Sequence, residues 1–177
     1  ANFIDPAASR YIFQTRNGKL TVTRNGDQFS MDFPAYTMKP IPVTEAMEKA
    51  LGGKPVEAYL ARDLVCVLAD ESQVIHCQPN LEKIKQLDGL LCHITAIGTK
   101  YDTVSRSFAP KLSVAEDPVC GSGHCHIIPV MASKLGKHDL ISYQASKRGG
   151  ELYCHLENGR IAMAGYAVLY AESTLKI

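Results

Sequence analysis

In the stretch Glu116-Asp-Pro-Val-Cys-Gly-Ser-Gly-His124, which runs on through Cys125 to Leu135, a carboxylate, a thiol, a hydroxyl and two glycines meet the start of an apolar run. Gly121 and Gly123 let the backbone bend tightly and come close to a ligand, and Ser122 is a residue type that caps helix N-termini. The first amides of a helix have no partner within it and lie at the positive end of its dipole. A substrate carboxylate is therefore expected on the N–H groups of Gly121, Ser122, Gly123 and His124. Asp117 and Cys120 would flank it.

Asp117 stands where a carboxylate either caps local N–H groups or touches a ligand. Cys120, beside a helix N-terminus, is a candidate general base because the dipole stabilises a thiolate and lowers its pKa; the other reading is an inert buried thiol in a small site. His124, Cys125 and His126 invite a metal reading. Successive helix residues diverge by about 100°, so only Cys120 and His124 could converge, and two ligands fall short of a zinc site. No metal and no other cofactor is expected. His76, His93, His138 and His155 show no partner pattern and read as surface or strand residues. Arg106 and Arg148 either reach a carboxylate or serve the structure.

The central stretch resembles the E-D-P-V-T-G-S-A-H signature of the PhzF-like (phenazine biosynthesis-like) isomerases, a branch of the diaminopimelate epimerase superfamily. Ile12-Phe-Gln-Thr-Arg-Asn-Gly-Lys-Leu20, Met31-Asp-Phe-Pro34, Arg62-Asp-Leu64, Arg106-Ser-Phe-Ala-Pro110 and Gln144-Ala-Ser-Lys-Arg-Gly-Gly150 resemble further family landmarks in family order. The resemblance thus covers nearly the whole chain. It implies an α+β, diaminopimelate epimerase-like fold in which antiparallel and mixed strands wrap around one central buried helix, with cofactor-independent acid/base catalysis and a substrate-contacting Asp117. At position 120 the signature has Thr. Cys120-Gly-Ser-Gly123 is instead similar to the Cys-Gly-Thr-Gly of diaminopimelate epimerase, whose Cys is one of two thiols working on opposite faces of a substrate α-carbon.

The family is built of two pseudo-symmetric halves, the first carrying an acid/base Glu and a Cys-Gly-His-Ala-Thr stretch. Neither occurs here. The resemblance therefore implies that the 177 residues correspond to the C-terminal two-thirds of such a protein, with residues 1–35 a remnant of the first half, 36–165 the second half and 166–177 returning to the first. On that reading the chain alone is inactive, and the missing half or a second chain, including a homodimer partner, covers the apolar side chains Phe3, Ile12, Phe13, Leu20, Val22, Phe29, Met31 and Phe33. Two functions stand side by side. One is an isomerase or epimerase that moves a proton next to the carboxylate of a small amino- or hydroxy-acid. The alternative is a non-catalytic carboxylate-binding or structural protein, since the first-half Glu is absent.

Composition bounds these readings. A 46% hydrophobic content suits a packed core, and 19 basic against 18 acidic residues give a net charge of +1, too small to steer nucleic acid or an anionic membrane. No apolar run reaches the length of a bilayer span. Of the six cysteines, Cys66, Cys77 and Cys92 lie within or beside apolar, strand-like runs, which favours a reduced, cytoplasmic protein.

The elements that position the motif read as follows. Tyr11–Thr15 and Lys19–Thr23 form a hairpin around Asn17-Gly18, and Gln28–Phe33 is a third strand. Pro34, Pro40 and Pro42 mark an extended connector. Thr44 caps a helix over Glu45–Leu51 that stops at Gly52-Gly53, and Asn80 caps another over Leu81–Leu87. Arg62–Ala69, Gln73–Cys77, Leu90–Gly98, Thr103–Phe108, Leu140–Ser146, Glu151–Leu156, Arg160–Ala164 and Tyr166–Tyr170 are expected strands. The helix that begins near Ser122 and runs to Leu135 is apolar almost all round, so it should be buried on most sides.

Overall fold

The computed structural model describes residues 5, 7–16 and 18–175, so Phe3 and Asn17 lie outside the described residues. The described chain runs β1 (Arg10–Thr15), β2 (Gly18–Asn25), β3 (Gln28–Pro34), β4 (Lys39–Ile41), α1 (Glu45–Leu51), β5 (Glu57–Leu60), β6 (Leu64–Val67), α2 (Glu71–His76), α3 (Leu81–Ile84), β7 (Cys92–Ile97), β8 (Thr103–Phe108), α4 (Gly121–Leu135), β9 (Asp139–Gln144), β10 (Gly150–Glu157) and β11 (Arg160–Tyr166). The strands make one mixed sheet in the order β1-β2-β3-β11-β10-β9-β8-β7-β6-β5-β4. All neighbours are antiparallel except β6 with β7 and β8 with β9. A parallel neighbour requires a crossover. The segment with α2 and α3 carries the first, and the central motif with α4 carries the second.

Alternation along the middle strands feeds two cores. Leu64 and Cys66 of β6 and Ile94 of β7 pack with Met47, Leu51, Val74 and Ile84 of α1–α3. Val65 faces the opposite way and joins Ile127, Ile128 and Met131 of α4, together with Leu140, Leu152, Cys154, Ile161 and Met163 of β9–β11. Strands covered on both faces read as near-continuous apolar runs, which is why Leu90–Gly98 is legible as a central strand. Beneath the start of α4, however, the sheet surface is polar: His93, Thr95, Thr103, Ser105, Ser107, Ser142 and Gln144 are all fully buried.

Several elements differ from the sequence reading. Gln73–Cys77 is not a strand but most of α2, because Asp70 caps it by accepting from the amide of Gln73 at 2.9 Å. The proline-rich connector contains β4, an edge strand where Pro40 is tolerated. Strand β5 was not expected at all, and α3 stops at Ile84. Residues 167–175 form no strand. Tyr166 already pairs with Gln28, the first residue of β3, so the chain beyond it has run past its partner, and Val168 and Tyr170 are 89% and 98% exposed. The return to the first strands is made instead by β11, antiparallel to β3 from Arg160 to Tyr166. Thr44, by contrast, caps α1 as expected, and Gly52 ends it with φ 72°.

Candidate active site

Helix α4 begins at Gly121, and its N-cap is Cys120, two residues before the Ser122 cap that the sequence suggests. The Cys120 Sγ accepts from the amide of Gly123 at 3.3 Å, and the Cys120 carbonyl accepts from the amide of His124 at 3.2 Å. Two of the four amides expected to receive a carboxylate are thus already used. Among the described residues nothing accepts from the amides of Gly121 and Ser122, so these two remain as donors. Ser122 is exposed, with its Oγ 3.6 Å from Cys120 Sγ.

Asp117 sits half-buried ahead of this turn. Its Oδ1 accepts from the amide of Val119 at 3.0 Å, its own amide donates to the carbonyl of Ser107 at 2.9 Å, and its Oδ2 has no bond among the described residues. Gln144, fully buried at the end of β9, fastens the turn from below: Oε1 accepts from the amide of Cys120 at 2.7 Å and Nε2 donates to the carbonyl of Asp117 at 2.5 Å. Glu116 does not face the site. Both its oxygens take the Arg106 guanidinium, at 2.7 and 2.9 Å, and Arg106 also donates to the carbonyl of Cys77. Arg106 is therefore structural.

Burial decides the chemistry of Cys120. The thiol is 3% exposed, and desolvation pushes its pKa up, outweighing the hydrogen bonds from Ser122 and Gly123. The lowered pKa expected from the helix dipole is not found; the thiol stays protonated and serves as a cap. His124 likewise points inward. Its Nδ1 donates to the carbonyl of Cys120 at 2.8 Å, its Nε2 accepts from Ser142 Oγ at 2.9 Å, and burial lowers its pKa to about 4. It is a neutral core residue with no group left for a ligand. All six cysteines are free and buried.

A buried polar cluster under the first turn of α4 was not legible in the sequence. Asp63, just before β6, receives Arg62 Nε and Nη2 at 3.0 and 2.6 Å, the amide of Leu91 at 3.3 Å and His93 Nε2 at 3.1 Å. Burial alone would raise its pKa, but these hydrogen bonds and the nearby imidazoles hold it well below the usual carboxylate range. His93 Nδ1 meets Ser107 Oγ at 2.9 Å. Asp63, His93 and Ser107 have the types and contacts of a nucleophile triad, yet all three are fully buried, so no substrate reaches Ser107. His126 adds its Nδ1, 3.5 Å from Asp63 and 2.9 Å from the carbonyl of Ser122, while its ring stacks on Tyr36. Its Nε2 is buried without a hydrogen-bond partner among the described residues. One ligand atom from each of Asp63, His93 and His126 lies within 4.8 Å of the others, the set a metal ion would use. A cation there would compete with the Arg62 guanidinium for both carboxylate oxygens and with the Ser122 carbonyl for His126.

The open side of the turn borders a cavity of 680 Å³ lined by Gly121, Val119 and Arg148 on one side and by Phe29, Met31 and Met163 on the other. Arg148 is exposed and has no ion-pair partner among the described residues, in contrast to Arg106.

The mixed sheet thus has a crossover helix whose start borders a cavity and carries one carboxylate oxygen, two amides and a cation without partners among the described residues, the kind of polar groups that line a small-molecule pocket. Residues 1–173 match the family model described as phenazine biosynthesis-like protein, and the chain belongs to this family. It is 38% identical over 174 residues to an uncharacterized isomerase of Pseudomonas aeruginosa, covering 98% of this chain and 67% of that protein. It is 34% identical to phenazine biosynthesis-like domain-containing protein 2 of Mus musculus, covering 94% and 65%. A solved structure of a phenazine biosynthesis protein of the PhzF family from Enterococcus faecalis superposes with a TM-score of 0.93 at 41% identity, covering 96% and 66%. The chain spans about two thirds of the length of these relatives. No helix among the described residues is long and apolar enough to cross a membrane.

Proposed function

We propose that this chain supplies one wall of an isomerase site that moves a proton at a carbon next to the carboxylate of a small amino- or hydroxy-acid. The reading is carried by one arrangement: Asp117 with a free Oδ2, fixed by Gln144 beside the unpaired amides of Gly121 and Ser122. Removing a proton next to a carboxylate builds negative charge on its oxygens, and donors aimed there lower the barrier. The two amides and Ser122 Oγ hold the carboxylate; Asp117 exchanges the proton. Cys120, protonated and capping, stabilises the turn rather than acting as the base. Relatives named isomerase support the class.

A second copy of the chain covers the apolar side chains of β1–β3, of which Ile12, Phe13 and Met31 are exposed. The division near residue 35 separates the strands that take part in that cover from the unit built around α4.

The test is solvent-deuterium uptake at the carbon next to the carboxylate, followed by NMR across a panel of small amino- and hydroxy-acids with the native protein. Asp117→Asn should abolish uptake and Cys120→Ser leave it near normal. Severe loss in Cys120→Ser with Asp117→Asn active would transfer the base role to the thiol, and full activity in both would sink the assignment.

A further inference from the structure

We propose that His93 is a positioning residue for this site: its imidazole, wedged between Asp63, Ser107 and Gly123, sets where Asp117 and the free amides of α4 stand relative to each other. The inference rests on the reading of Asp117 and the Gly121 and Ser122 amides as the working groups. It begins with the absence of a side chain at Gly123. A Cβ built there would lie 2.7 Å from His93 Cε1, 3.0 Å from His93 Nδ1 and 3.1 Å from Cys120 Sγ. The backbone does not call for glycine, since Gly123 is not among the residues with positive φ, and Ala is the better helix former. The imidazole requires the gap.

His93 cannot retreat. Its Nε2 is held by Asp63, which is itself clamped by Arg62 and the Leu91 amide, and its Nδ1 is held by Ser107. The Ser107 carbonyl then accepts from the amide of Asp117 at 2.9 Å. One ring therefore touches the first turn of α4 directly and reaches the Asp117 loop through a single residue. Interiors are close-packed, so moving the ring moves both.

A two-by-two set of variants, Gly123→Ala, His93→Ser and the pair together, tests this in the chain as it stands. Gly123→Ala alone should lower Tm by about 3–10 °C, the range that overpacking of a core causes in a domain of this size. In the His93→Ser background the same change should cost much less in Tm, because the overlap with the ring is gone and only the 3.1 Å approach to Cys120 Sγ is left to set against the better helix propensity. If His93→Ser does not fold, His93→Asn serves in its place. The positional claim is read from ¹⁵N-labelled protein: the amide resonances of Asp117, Gly121 and Ser122 should shift in Gly123→Ala and return toward wild type in the pair. Additive Tm changes, or unmoved Asp117 and Ser122 resonances in a folded His93 variant, overturn the proposal. Acetate titration separates it from the reading on which it rests. Acetate should shift the Gly121 and Ser122 amides of the wild type, with the response lost in Gly123→Ala and regained in the pair. A wild type blind to acetate refutes the carboxylate seat, and the Tm cycle still decides the coupling of His93 to Gly123.

Discussion

Gln144 and Cys120 are joined by a 2.7 Å hydrogen bond from the Cys120 amide to Gln144 Oε1, and the same side-chain amide holds the Asp117 carbonyl through Nε2. One buried group from β9 thereby closes the loop that carries the candidate catalytic carboxylate onto the N-terminus of α4. Gln144→Leu keeps the bulk and removes both bonds. A buried polar group left without a partner costs about 1–3 kcal/mol, so a loss of about 2–5 kcal/mol is expected in urea unfolding. Deuterium uptake should fall with it even where the variant remains folded.

His124 should make stability depend on pH below neutrality. Burial lowers its folded pKa from 6.5 to about 4. Between those values the unfolded chain binds the proton and the folded chain does not, so falling pH favours unfolding. Its full contribution is present above pH 6.5, and about 3 kcal/mol is lost as pH falls to about 4. His124→Asn, which can still donate to the Cys120 carbonyl, should flatten this part of the stability profile. An unchanged slope would assign the effect to another group.

Because burial raises the Cys120 pKa, alkylation by iodoacetamide at neutral pH should be slower than for a free cysteine. Cys120→Thr supplies an oxygen to the Gly123 amide and should stay within about 1 kcal/mol of wild type, whereas Cys120→Ala removes the cap and should cost about 1 kcal/mol. Rapid labelling of Cys120 in the folded protein would contradict the buried geometry.

Of the two edge strands of the sheet, β1 and β4, β1 carries Ile12 and Phe13, which are 57% and 53% exposed. An apolar edge of this kind is a pairing surface. Sedimentation velocity of the isolated chain should show concentration-dependent association, and Ile12→Lys with Phe13→Lys should reduce it. A monomer at all concentrations would remove the case for a covering partner at this edge.

What the sequence determines by itself is local. Thr44 and Gly52 bound α1 because a cap and a left-handed stop act within a few residues, and the apolar character of Ile127, Ile128 and Met131 announces a buried helix whatever covers it. The Glu116–His124 stretch marks the site because its residue types and spacing are local as well. Where two local signals compete, the pattern fails: Gln73–Cys77 looks like a strand until Asp70 caps it. Tertiary structure decided the rest. Whether Cys120 is a base depends on burial that spacing cannot express, and whether Arg106 or Arg148 faces the ligand depends on where Glu116 lies. His93, Asp63 and Ser107 come from three separate segments, up to 44 positions apart by number (107 − 63), and meet only because β7 pairs with β6 and β8 beneath α4. Pairing register, which is set by the whole sheet, brought the imidazole against Gly123.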